Sequence, residues 1–512
     1  MKSIKKIYKL LIVSFLLCTV SCDDDFLDVP PLGLVSDANF DPVMAVTSCY
    51  NIMGNYDNRW SDWRILILGD ALSDDAWKGG SSQTDQIDIY QMNIFATIPS
   101  NVIPRDVWSM YYRRIFRFNW AIVNLQGLDQ EIALNRRLLG EVKFLRAMHY
   151  FWLVRSFGDV PLVEEPLSSD QHNKVRESEI NLYEFIEREL LEAIDLLPTK
   201  SEYQLRDLGR ATEGSARGLL SKVYLYQEKW SEALDQAGLI INSGDYQLET
   251  DFGNIFSREA QHGPESLFEI TFAENDQLSN PTYHAIAQRS RNVFGGWGLN
   301  CPTKDLLDAF EPGDPRTIHT ITFHGDITEG QTHDHSGYDN PDQMHNMKAF
   351  KPVSLQGNSA NDGENFRVMR YAEILLIYAE AANELGQSGE ALEKLNLVRE
   401  RARNSSRTDR YRTFINFELA EPENVLPEIT ETGQTELREI IWQERRVELA
   451  LEGDRFYDLV RQGRAGDVLR SFSQQYNADK GSNFQDGIHE RFPVPQDEID
   501  RTNGLIIQNN GY

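Results

Sequence analysis

Asp74 and Asp75, followed at once by Ala76 and Trp77, are the first residues of this 512-residue chain whose types suggest chemistry. A carboxylate pair beside an indole fits a sugar cleft, either as catalyst or as contact. Glycoside hydrolysis needs two carboxylates facing one bond from about 5–10 Å apart. Neighbouring side chains on a loop diverge, so catalysis by this pair is disfavoured. A polar contact to a ligand, or a loop-stabilising turn, is expected instead, and no catalytic residue is assigned.

Two other clusters carry reactive types. Glu444, Glu448 and Glu452 recur every four residues and therefore share one helix face. Like charges on one stripe repel unless paired, and Arg445, Arg446 and Arg455 lie close in sequence. An ion-pair network fixing the last helices is the favoured reading over a carboxylate site, because structural networks also gather charge. His333, Asp334 and His335, with His345 ten residues beyond His335, are metal-ligand types in one loop. Their spacing gives neither a histidine pair on a helix nor a zinc pattern. Chance loop composition is expected, with no metal and no cofactor.

Aromatic residues divide by position. Trp108, Tyr111, Trp120, Trp152 and Tyr224 lie on apolar helix faces, where core packing accounts for them. Trp60, Trp63, Trp77, Tyr90, Tyr283, Phe294 and Trp297 lie in loops. A sugar ring presents a flat C–H face that stacks on an aromatic plane, and its hydroxyl rim calls for Asp, Asn, Gln or Arg beside it. Trp77 has Asp75, Asn101 and Arg105 near in sequence. Trp297 is flanked by glycines, which let a backbone approach a ligand closely. A ligand is therefore expected between the 69–105 loop and the 280–300 loop, with Trp77 and Trp297 as stacking platforms. Tyr283 belongs to the same set, and Asp75, Asn101 and Arg105 are candidate hydroxyl contacts. Trp60 and Trp63 are the fallback site.

The elements that must hold these loops are helical. Apolar residues recur at helical spacing from Arg105 to Leu128 and from Glu141 to Phe157, the latter closed by Gly158 and then Pro161. A further helix is expected over 181–197, ended by Pro198. Helix pairs follow at 212–228 with 231–242, and at 370–385 with 388–403. Aligning Ala233-Leu234 with Ala391-Leu392 superposes the two pairs, and Ala193 takes the corresponding place in an earlier one. Pairs of roughly 34 residues with alanine at the helix crossing read as tetratricopeptide-like units. About four are expected, counting 435–463, with stacking burying the face that no pair covers alone. The alternative is a generic helical bundle. Two long stretches, about 64–104 and 245–366, interrupt the helices. Their aromatic content argues for ordered loops, with minor β structure, packed over one side of the scaffold.

The N-terminus has a separate logic. Lys2, Lys5, Lys6 and Lys9 precede an apolar run from Leu10 to Val20, and small Ser21 stands before Cys22. This reads as a secretory signal over 1–21, with a run about half the length of a membrane-spanning helix. Cys22 resembles the acylated cysteine of a bacterial lipobox, although Thr19 stands where such boxes usually carry leucine. Asp23-Asp24-Asp25 resembles the export signal that places Bacteroidetes lipoproteins on the outer face of the outer membrane. Losing the four signal lysines takes the formal net charge from −28 to −32. Such a polyanion repels nucleic acid and anionic lipid. Of the remaining cysteines, Cys49 and Cys301 either pair or stay as buried small hydrophobes, and no CxxC spacing suggests a metal.

Five segments in order carry a resemblance over essentially the whole chain: GDALSDDAW at 69–77, VWSMYYRRIFRFNWAIVNL at 107–125, GEVKFLRAMHYFWLVRSFGDVPLV at 140–163, ERRVELALEGDRFYDLVRQG at 444–463, and the C-terminal RFPVPQDEI with IIQNNGY. Together they resemble the SusD/RagB family of outer-membrane nutrient-binding lipoproteins. The resemblance implies one SusD-like domain over 22–512, built on a tetratricopeptide core and lying over a TonB-dependent barrel of the SusC type. Family members capture a nutrient, commonly an oligosaccharide, and close the barrel like a lid; the family is not known for catalysis. Departures fall in the loops, which leaves the ligand open. The alternatives are a peptide-binding uptake lipoprotein or a repeat scaffold for protein contact.

Overall fold

The computed structural model describes residues 40–54, 68–168, 171, 173–272, 283–291, 295–337, 339–350, 363–409 and 411–512. The signal segment, Cys22, the acidic triplet, Trp60, Trp63, Phe294 and the side chain of Tyr283 lie outside the described residues.

The scaffold is a succession of helices: α1 (Pro42–Gly54), α2 (Val102–Gln126), α3 (Ala133–Phe157), α4 (Glu179–Leu196), α5 (Glu213–Tyr226), α6 (Trp230–Ser243), α7 (Tyr371–Glu384), α8 (Ser388–Asn404), α9 (Gln434–Glu448), α10 (Arg455–Arg461) and α11 (Ala465–Tyr476). From α2 to α8 each packs on the next in line, including α6 directly on α7 across the whole 245–366 stretch. That is the stacking expected of tetratricopeptide-like pairs, here α3–α4, α5–α6 and α7–α8. The segment expected as a fourth unit supplies α9, which packs on α7, and α10, which packs on α11.

Local chemistry sets the ends of these helices. Asn101 caps α2 by accepting from the Ile103 N–H at 2.9 Å, and Thr212 caps α5 by accepting from the Ser215 N–H at 3.0 Å. Each such cap is worth about 1 kcal/mol. Gly158 stops α3 at φ 72°, a left-handed value that only glycine adopts without strain. Ala193, Ala233 and Ala391 are fully buried where one helix crosses another. The longest burial is on α3, whose Leu145, Phe151, Leu153 and Phe157 all sit in the main core. Truncating one of these to alanine costs about 2–5 kcal/mol. Two charges of α3 are internal as well: Lys143 and Arg146 both bind Glu189 of α4, at 2.9 and 2.6 Å.

Nine short strands order the long loops: β1 (Ala76–Gly79), β2 (Ser266–Ile270), β3 (Leu299–Pro302), β4 (Ile321–Phe323), β5 (Ile327–Thr328), β6 (Gln331–Thr332), β7 (Met344–Asn346), β8 (Phe366–Arg370) and β9 (Arg412–Thr413), among the described residues. They pair antiparallel as β1–β3, β2–β8, β4–β7 and β6–β5–β9. The β2–β8 ribbon closes the neck of the long excursion, so the chain leaves after α6 and re-enters α7 at one place. A second, smaller core joins Ala76 of β1 to Leu306, Phe310, Ile321 and Phe323 of the excursion and to Val447 of α9. Cys49 in α1 and Cys301 in β3 are separate free thiols, both buried; they do not form a disulfide. No described helix is long and apolar enough to cross a membrane.

Candidate functional site

The two loops expected to flank a ligand meet as a two-stranded ribbon. Trp77 of β1 stands opposite Cys301 of β3, and Gly79 opposite Leu299. The Gly80 N–H donates to the Gly298 carbonyl at 2.7 Å, extending the ladder beyond the strands. Arg291 and Asp85 form an ion pair at 2.5 Å across the same seam. The Arg291 Nε also donates to the Trp297 carbonyl at 2.7 Å. Gly296 is required here, because a Cβ would lie 2.2 Å from the Arg289 carbonyl oxygen.

Trp77 is half-buried, and it belongs to a short aromatic ladder. Its ring centroid lies 5.2 Å from that of Phe472 on α11, which lies 4.8 Å from Tyr476 one turn further along. The Trp77 indole N–H donates to Asp342 at 2.6 Å, and Asp342 also accepts from the Lys304 N–H at 2.8 Å. Burial, then the negative field of Asp305, Asp308 and Asp342, pushes the Tyr476 hydroxyl up to about 12. The ladder thus ends in a phenol beside three carboxylates. Phe472 and Tyr476 are absent from the sequence expectation, although their i, i+4 spacing on an amphipathic helix is a readable signal.

The remaining expected contacts have other duties. Asp75 is fully buried and pairs with Arg446 of α9 at 2.8 Å; Asp74 pairs with Arg455 and Arg446 at 2.9 and 3.0 Å. Burial would raise the Asp74 carboxyl, but Arg446 and Arg455 outweigh it and hold the group well below the usual carboxylate range. Asn101 is spent on capping α2, while its amide donates to the Asp88 carbonyl at 3.1 Å and to Gln91 at 3.0 Å. Asp75 and Asn101 therefore hold the loop to the scaffold, and both are internal in this fold. Arg105, on the first turn of α2, pairs with adjacent Asp106 at 3.1 Å and keeps 43 % of its side chain exposed. Tyr283 opens a short helix, Tyr283–Gln288, whose Ile286 carbonyl accepts from the Trp297 N–H at 3.0 Å. Trp297 is half-buried and packs on the main core.

Glu444 and Glu448 share a face of α9, while Glu452 lies beyond the helix end at Glu448; the three form an ion-pair network with partners other than those near in sequence. Glu448 accepts from Arg316 at 2.9 Å, from Arg370 at 2.5 Å and from Arg401; Glu444 accepts from Arg316 at 2.5 Å and Arg399 at 2.8 Å. Glu452 binds Lys348 and Arg370 at 2.7 and 2.8 Å. Arg445 turns instead to Glu373 and Asp458, both at 2.7 Å.

The histidines expected to be a chance composition are gathered in space. The rings of His333 and His335 lie 5.5 Å apart and those of His335 and His345 4.3 Å apart, each pair edge to face. All three are buried. Burial lowers His333 to about 3 and His335 to about 4, and holds His345 well below the usual histidine range. Among the described residues no three histidine, cysteine or carboxylate side chains converge as a metal's ligands would.

The family model described as the SusD family matches residues 264–512, and one described as starch-binding, associating with outer membrane, matches residues 25–225. SusD-like protein P2 of Formosa agariphila is 28 % identical over 540 residues, covering 99 % of this chain and all of its own length. A laminarin-binding SusD-like protein of solved structure superposes with a TM-score of 0.75 at 26 % identity, over 92 % of this chain and 99 % of that one. Surface glycan-binding protein A from Bacteroides fluxus superposes with a TM-score of 0.73, also at 26 % identity, over 92 % and 99 %. Residues 25–225 and 264–512 take in both ends of the helical scaffold and the loops between them, and on that ground this chain belongs to the SusD family.

Proposed function

We propose that this chain is an outer-membrane lipoprotein, anchored through Cys22 and facing the cell exterior, that binds an oligosaccharide or polysaccharide and delivers it to a TonB-dependent barrel of the SusC type. The observation that carries the reading is the β1–β3 ribbon. It fixes Trp77 and the loop of Trp297 in one clamped unit, with part of the Trp77 residue exposed and Asp305, Asp308 and Asp342 close to the same ladder. A sugar face stacks on the indole, and carboxylates accept from its hydroxyl rim. Asp342, Asp305 and Asp308 replace the internal Asp75 and Asn101 as hydroxyl partners, and Arg105 remains as an outlying donor.

The role is binding, with no bond made or broken. The acid pair adjacent to Trp77 in sequence, Asp74 and Asp75, is locked to arginines and has no open face. Laminarin is the first ligand to test, since a structural relative at 26 % identity is named for binding it. A peptide receptor would call for a charged cleft without an aromatic platform, and the Trp77–Phe472–Tyr476 ladder weighs against that reading. Calorimetric titration of the purified protein against laminarin and a panel of other polysaccharides tests the proposal. Saturable heat with at least one glycan supports it, and silence across the panel counts against it.

A further inference from the structure

Beneath the Trp77 platform lies a buried cation. Lys480 follows the end of α11 and is 1 % exposed. Its ammonium donates to the carbonyl of Ala76, the residue that precedes Trp77 on β1. The same Nζ stands 5.9 Å from the Trp77 ring centroid and 5.6 Å from that of Phe472. One side chain therefore holds the backbone of β1 and touches the two rings that form the base of the ladder. Within about 6 Å an ammonium is attracted to an aromatic face, most strongly to indole and more so when desolvated.

We propose that Lys480 is the positioning residue of the glycan platform: its charge fixes Trp77 against Phe472, so that sugar stacking on Trp77 depends on whether Lys480 is protonated. The inference rests on the glycan reading above. Removing the charge would leave the hydrogen bond to Ala76 available to a neutral amine but abolish the attraction to both rings. Trp77 would then keep its link to Asp342 and lose its support from below.

The surroundings place the transition in an accessible range. Burial pulls Lys480 down to about 7, opposed by the field of Asp74, Asp75, Asp70 and Asp305. Arg446 and Arg455 face the same pocket through their pairs with Asp74, Asp75 and Asp305. Asp70 and Asp75 are themselves raised by burial, so their titration has to be separated from that of Lys480. An arginine at position 480 does this, because it stays charged throughout the range while leaving both acids in place.

The test has two readouts. In calorimetry with laminarin, the wild type should bind at least threefold more tightly at pH 6 than at pH 8.5. Lys480→Met should bind weakly at both, and Lys480→Arg should bind equally at both. In ligand-free protein, the near-ultraviolet dichroism assigned to Trp77, by difference from Trp77→Phe, should shift with a midpoint near pH 7 in the wild type and stay flat in Lys480→Met. A wild-type pH profile retained in Lys480→Arg would assign the effect to the acids and overturn the proposal, as would a Trp77 signal unaffected by Lys480→Met. If the dichroism behaves as expected but no glycan binds, the positioning role stands and the glycan reading fails.

Discussion

Asp75 and Arg446 are 371 residues apart in sequence and 2.8 Å apart in the fold, where the pair is buried between the early loop and α9. With Asp74 and Arg455 at 2.9 Å beside it, the pair fastens the loop that carries Trp77 to the last helices of the scaffold. The acid pair thus serves the platform by anchoring it to Arg446 of α9 and Arg455 of α10.

Breaking this fastening should be a stability defect. Arg446→Met leaves Asp75 and part of Asp74 as uncompensated buried charge, which costs about 3–5 kcal/mol. Chemical denaturation should show a loss of that size, with laminarin affinity per folded molecule unchanged for Asp75→Asn in the Lys480→Arg background, where the charge beneath Trp77 no longer depends on Asp75. Loss of glycan binding in Asp75→Asn at wild-type stability would return Asp75 to the ligand.

Acid should destabilise the protein in two stages. His333, His335 and His345 have folded-state values below 6.5, so below that pH the unfolded chain binds more protons than the folded one. Stability should therefore fall as pH drops from 6.5 toward about 3–4, by up to about 1.4 kcal/mol per pH unit for each histidine. Glu448, held low against burial by Arg401, Arg370 and Arg316, adds a further loss as pH falls below 4.5. His345→Phe, which keeps the ring and removes the proton site, should flatten the thermal midpoint between pH 6.5 and 5. An unchanged slope in this variant would mean that the cluster does not govern the first stage.

Much of this organisation was legible beforehand, for identifiable reasons. Helical periodicity and stop signals such as Gly158 are local, and they located α2 to α8 within a few residues, except that α3 begins at Ala133, eight residues before the expected Glu141. The alanine crossings exposed the repeat because packing there admits nothing larger. Partner choice was not legible. Glu448 was readable as one of a charged stripe, but Arg316, Arg370 and Arg401 come from segments that only the fold brings near it. The same holds for Asp75, which sequence proximity associates with Trp77 and the fold assigns to Arg446. The nearness of the histidine rings was not legible either, since His335 and His345 are ten residues apart in a loop and only the fold brings their rings to 4.3 Å.

Anchoring is tested by fractionation. Cys22→Ala should release the protein into the periplasm or medium, and replacing Asp23, Asp24 and Asp25 with alanine should keep it on the membrane but abolish labelling on intact cells. Unchanged membrane fractionation of Cys22→Ala would count against the lipid.

Partnership is tested by extraction. In mild detergent the protein should co-purify with a large β-barrel from outer membranes, because capture without a channel imports nothing. Recovery solely as a free monomer would count against delivery to a SusC-type partner.

The most direct measurement is calorimetry of laminarin, and of the best-bound glycan of the panel, on the wild type, Trp77→Ala, Trp297→Ala and the double variant. The account predicts at least a tenfold loss of affinity for Trp77→Ala or Trp297→Ala, about 1.4 kcal/mol or more, with the thermal midpoint preserved. Full affinity in both single variants and in the double variant would contradict it and move the site away from the β1–β3 ribbon.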